Sequence, residues 1–109
     1  METKDIGIIN VNKQNKFKVK CFKYYEPEIK RNLMIHEDVD TENSSSVSDE
    51  VTGYRLFTIN QNIHSLKMEQ VQERMDKFIR HFTPEGIAEE FKRVEEILKN
   101  IAENKAKKK

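Results

Sequence analysis

Lys16, Lys18 and Lys20 recur at every second residue, and Phe22 and Tyr24 continue the same spacing. In an extended strand this places Lys16, Lys18, Lys20, Phe22 and Tyr24 on one face and Phe17, Val19, Cys21, Lys23 and Tyr25 on the other. Ammonium groups beside exposed rings are what a nucleic-acid-binding sheet uses, the cations for phosphates and the rings for stacking on bases. Arg55, in a later strand-like run, belongs to the same candidate site, and Lys23, Lys30 and Arg31 add positive charge to this half. A plainer reading needs no ligand: lysines on the wet face of an edge strand also discourage edge-to-edge association.

A second candidate surface is helical. Ile87, Phe91, Val94, Leu98 and Ile101 recur at steps of 4, 3, 4 and 3. That is a heptad seam of about two repeats, short of the three to four that a coiled coil needs. Phe91, Val94 and Leu98 are its candidate partner-binding residues, and the narrow stripe suits a homodimer.

Parts for catalysis are missing. Cys21 and the histidines at 36, 64 and 81 share no motif spacing, and Cys21 has no histidine near it in sequence to activate a thiol. Three glycines build no phosphate loop, so no nucleotide cofactor is expected, and no other cofactor is. Asp38, Asp40, Glu42 and Asp49 occupy positions one, three, five and twelve of a calcium-loop pattern, but Asn43 stands where that turn needs glycine. Ser46, three residues before Asp49, fits an acid-directed phosphorylation pattern of little specificity. A helix-turn-helix reader would need a tight turn after residues 83–91, and Lys92-Arg93-Val94-Glu95-Glu96 continues the helix instead.

The elements that must position these residues change type along the chain. Strand-like runs occupy 1–35, at Ile6 to Val11, at Phe17 to Tyr25 and more weakly at Ile29 to Ile35, with another at 53–62 centred on Tyr54 to Ile59. Between them, 36–52 is acidic and serine-rich and reads as a mobile loop. Helices are expected over 65–82, with Ser65 as N-cap, and over 84–104, started by Thr83-Pro84-Glu85. Lysine-rich 105–109 reads as a disordered basic tail. Strands first and helices after predict a single α+β domain over 1–104. It would be a three- to four-stranded antiparallel sheet with two C-terminal helices packed on one face.

Composition bounds the rest. The 109 residues fit one domain, with 36% hydrophobic and 36% charged residues. Net charge is +1, yet residues 1–33 carry eight Lys/Arg against four Asp/Glu, while 34–53 carry six acids and no base. One cysteine, no signal-like segment and no apolar run of about 18 residues point to a cytoplasmic chain with no membrane partner. The Lys/Asn/Ile/Glu usage has the flavour of an AT-rich phage or plasmid genome. The expectation is a small non-enzymatic protein that binds DNA or RNA through its basic-aromatic face. The alternative is a protein-binding module or inhibitor acting through the acidic loop or helical seam.

Overall fold

The computed structural model describes the backbone of residues 3–11 and 15–107, and the side chains of 3–9 and 18–103. Five strands, β1 (Asp5–Val11), β2 (Asn15–Glu26), β3 (Arg31–Glu37), β4 (Ser45–Asp49) and β5 (Arg55–Ile59), precede two helices, α1 (Met68–Phe82) and α2 (Pro84–Lys107). The sheet is antiparallel throughout and runs in chain order, β1-β2-β3-β4-β5. The α+β class and the two C-terminal helices are as the sequence implies, but the sheet has five strands rather than three or four.

The additional strand is β4, inside the acidic serine-rich stretch expected to be loop. All five of its residues are buried. Its polarity is absorbed by hydrogen bonds rather than by water. The hydroxyls of Ser44, Ser45 and Ser46 donate to Asn60 Oδ1 (3.1 Å), the Gln61 carbonyl (2.7 Å) and Asp38 Oδ1 (2.6 Å). Buried polar groups that find partners lose little relative to hydration. Ser46 is therefore sealed beneath the surface rather than displayed to a kinase.

Opposed residues in the ladders share a face, so the register identifies the two sides of the sheet. Tyr24 faces Leu33, Phe22 faces Ile35, and Ile35 faces Val47. Leu33, Ile35 and Val47 form the floor of the main core, beneath Ile63, Leu66, Val71, Met75, Ile79, Ile87 and Phe91. On the other side Ile9, Cys21 and Met34 make a smaller cluster, with Val19 packed against it. Glycine at position 7 is what lets β1 close on that cluster, because a Cβ there would fall 1.9 Å from the Met34 sulfur. Gly53, at φ 74°, turns the chain from β4 into β5 and donates its N–H to the Asp49 carbonyl at 2.8 Å.

Helix α1 begins at Met68, not after Ser65. Residues 62–66 form a turn in which the Asn62 carbonyl accepts from Ser65 and Leu66, and Ile63 and Leu66 are thereby driven into the core. Gln70 Oε1 then accepts the Lys67 N–H at 2.9 Å, satisfying one donor at the helix start. Thr83 does cap α2, accepting from the Gly86 N–H at 3.2 Å, and Pro84 occupies the first helical position. Helix α2 runs on to Lys107, so the first part of the stretch read as a tail is helical. Among the described residues, no helix is long and apolar enough to cross a membrane.

Candidate functional site

The lysine-aromatic row divides where the helices end. Lys18 and Lys20 are exposed, opposite Ile8 and Ile6 in the β1–β2 ladder, and those two isoleucines are 48% and 64% exposed. Farther along β2, Phe22 and Tyr24 are half-buried and pack against the main core. Among the described residues the buried Tyr24 hydroxyl finds no hydrogen-bond partner, and burial raises its pKa far above the ordinary value. These two rings are packed in part against the core, so less of each is displayed beside the lysines than strand alternation alone implies. The Lys16 side chain lies outside the described residues.

Arg55 is also committed elsewhere. Its Nη1 donates to Asp38 Oδ1 at 2.9 Å and to Asp40 Oδ2 at 3.5 Å, three strands from Lys20 in the sheet order. Burial alone would raise the Asp38 pKa. Hydrogen bonds from Ser46, Arg55 and Thr41, with the charge of Arg55, outweigh it and hold the group below the usual carboxylate range. Asp49, the last position of the calcium-like pattern, faces away into the core. It accepts from Arg31 Nε (2.7 Å) and Nη2 (3.0 Å) and from the Thr52 N–H (2.9 Å) and hydroxyl (2.7 Å). Asp38 and Asp40 thus hold Arg55 while Asp49 holds Arg31, and among the described residues no three His, Cys, Asp or Glu groups converge as metal ligands.

The Arg31–Asp49 pair is the joint between sheet and helices. Arg31 also bonds Glu95 of α2, and its guanidinium lies 4.5 Å from the centroid of the Phe91 ring. Hydrogen bonding to Asp49 is the main reason its pKa rises. Phe91 itself is buried, edge-on to Tyr54 with ring centroids 6.4 Å apart. Of the helical seam, then, Ile87 and Phe91 are spent on the core, while Val94 and Leu98 remain half-buried.

One pair has the geometry of a base and a nucleophile. The Glu37 carbonyl, 2.6 Å from His36 Nδ1, can only accept, so Nδ1 carries the ring proton and Nε2 accepts from the Ser48 hydroxyl at 2.8 Å. His36 and Ser48 are each 1% exposed, so a substrate has no approach to them. Burial is the main reason the His36 pKa is lowered, which keeps the ring neutral. The pair is a satisfied polar contact between β3 and β4.

Sequence reasoning missed the surface that the fold assembles at the other end of the sheet. Tyr54, Leu56 and Phe57 of the β5 region, Phe78 and Phe82 of α1, and Phe91 of α2 line a groove of about 530 Å³. Phe57 lies 5.6 Å from Phe78, and Phe78 lies 4.8 Å from Phe82, ring centre to ring centre. Phe82, at the end of α1, is 52% exposed. Strand alternation and helical spacing by themselves do not distinguish such rings from ordinary core. Only tertiary placement shows that the last of them passes the edge of the sheet. No protein-family model, curated protein or solved structure matches the chain.

Proposed function

We propose that this is a small, non-enzymatic binding protein of the cytoplasm whose partner is another protein. The observation that carries the reading is the aromatic groove at β5, lined by rings and open at the exposed Phe82. Exposed aromatic side chains beside a well-packed core are where interface energy concentrates. The site moves from the acidic loop and helical seam to this groove, because β4 is buried and Phe91 belongs to the core.

Nucleic acid is the second reading, and Lys18 and Lys20 beside the exposed Ile6 and Ile8 are what favour it. It rests on charge and not on stacking, since Phe22 and Tyr24 lie against the core.

A photo-crosslinking residue placed at position 82 separates the two. In the protein's native cells it should give a discrete protein adduct that the same residue at exposed position 96 does not give. Adducts cleaved by nuclease and untouched by protease would overturn the protein reading.

A further inference from the structure

The groove runs beside an unpaired strand edge. β5 is the last strand of the sheet, so one row of its main-chain groups has no partner strand. On that row the Thr58 carbonyl accepts from Arg74 Nη2 at 3.5 Å, a long contact that a closer donor can replace. Arg74 stands over Phe57, with its guanidinium 5.7 Å from the ring centroid, and among the described residues it makes no ion pair. The other charge at the groove, Glu90, is already met by Arg93, which holds its pKa low. Among the described residues, the groove therefore offers one positive charge outside any ion pair, a strand edge with no partner strand and a series of rings.

Resting on the protein-binding reading above, we propose that the groove takes an extended peptide segment of the partner. The segment adds to β5 as a sixth strand, with bulky apolar side chains entering among Phe57, Phe78 and Phe82 and an acidic side chain pairing with Arg74. Strand addition of this kind draws affinity from main-chain hydrogen bonds and specificity from pockets for alternate side chains. When Arg74 turns to the peptide carboxylate it releases the Thr58 carbonyl, which then accepts an N–H of the incoming strand. Recognition of the acid and of the main chain are coupled through this one side chain.

Panning a phage-displayed random heptapeptide library on the full chain tests this. Selected peptides should carry aromatic or aliphatic residues at alternate positions with an Asp or Glu among them. A synthetic copy should shift the amide resonances of residues 55–59 and the resonances of Arg74, Phe78 and Phe82. Arg74→Gln should weaken the acidic peptide on the order of tenfold and leave its Gln-substituted version unchanged, the loss expected of one charge-assisted hydrogen bond. Arg74 is exposed, so the variant keeps its fold. Several results would overturn the proposal. They are no enrichment, selected peptides that bind as helices or at β1, indifference to Arg74→Gln, or the same shifts appearing with protein concentration alone, which would make a second copy the occupant. A protein adduct at position 82 without such peptides would leave the protein reading standing and remove the strand-addition class.

Discussion

At β1 the sheet ends in two exposed isoleucines with Lys18 and Lys20 exposed beside them, so among the described residues nothing covers these four side chains. At β5 it ends beneath both helices, in rings that stack from the strand out to the protein surface. Among the described residues, each edge strand has one side without a partner strand, and the two edges are guarded in different ways. β1 itself carries no cation, and Lys18 and Lys20 of the neighbouring β2, an internal strand rather than an edge, set like charge beside it against a second basic surface. At β5 one arginine occupies an edge carbonyl and bulky rings crowd the approach. Stability should therefore be concentrated where Arg31 and Asp49 join β3 and β4 to α2, on the β5 side of the sheet, whereas the β1 end can change its surface at little cost.

The largest effects should therefore come from the joint between β3, β4 and α2. Phe91→Ala removes a buried ring from beneath Arg31 and beside Tyr54, and should lower unfolding free energy by ~3–5 kcal/mol in urea titration. Asp49→Ala leaves Arg31 without its buried partner and should cost a similar ~3–5 kcal/mol. Arg31 touches both groups, so the double variant should fall short of the sum by ~0.5–3 kcal/mol. Losses that add fully would show that the ion pair and the ring act independently, and the β5 end would no longer be one unit.

His36 sits between the two ends, on the side of the sheet that the helices do not cover, with Asp38 and Arg55 as the nearby charges. Folding lowers its proton affinity, mainly by burial, so the unfolded chain binds the proton more readily than the folded one. Stability should be full above the ordinary histidine value of 6.5 and should fall as pH drops through it, by at most ~1.4 kcal/mol per pH unit. Unfolding titrations between about pH 7 and 5 measure that slope. His36→Gln should flatten it while leaving the loss at lower pH, where the hydrogen-bonded Asp38 carboxylate takes up a proton. A slope that survives the substitution would move the titration to another group.

Residue periodicity made most of the architecture legible. The every-second-residue pattern of β2, the β-branched and aromatic run of β5, the α1 and α2 stripes and the Thr83-Pro84 helix start all read directly. What failed was the treatment of polarity. Ser45, Ser46 and Ser48 look like loop because their composition is hydrophilic, yet each hydroxyl meets a partner that lies 8 to 16 residues away in the chain. Likewise, alternation places Phe22 and Tyr24 on the same face as Lys18 and Lys20, but it cannot say where along that face the helices stop. The groove was illegible for the same reason. Its walls come from β5, α1 and α2, and each wall alone is an ordinary apolar stripe.

The smallest effect on stability should come from the β1 end, and it is also the one that tests the second reading. Lys18→Gln combined with Lys20→Gln changes two exposed side chains, so unfolding free energy should move by no more than ~0.5 kcal/mol. If those lysines neutralise phosphates, affinity for single-stranded DNA should fall, and the slope of log K against log salt should flatten by about one unit for each phosphate no longer neutralised. On the protein-binding reading, the parent shows little affinity for DNA at ~0.15 M salt, and the double variant behaves as the parent does. Replacing Phe82 with Ala should then leave any weak DNA binding unaltered while abolishing partner capture at the groove, 52% exposed as that ring is. Should the lysine pair remove partner capture and Phe82→Ala leave it intact, the two ends exchange roles. The basic end would then be the working surface and the aromatic groove a finished edge of the core.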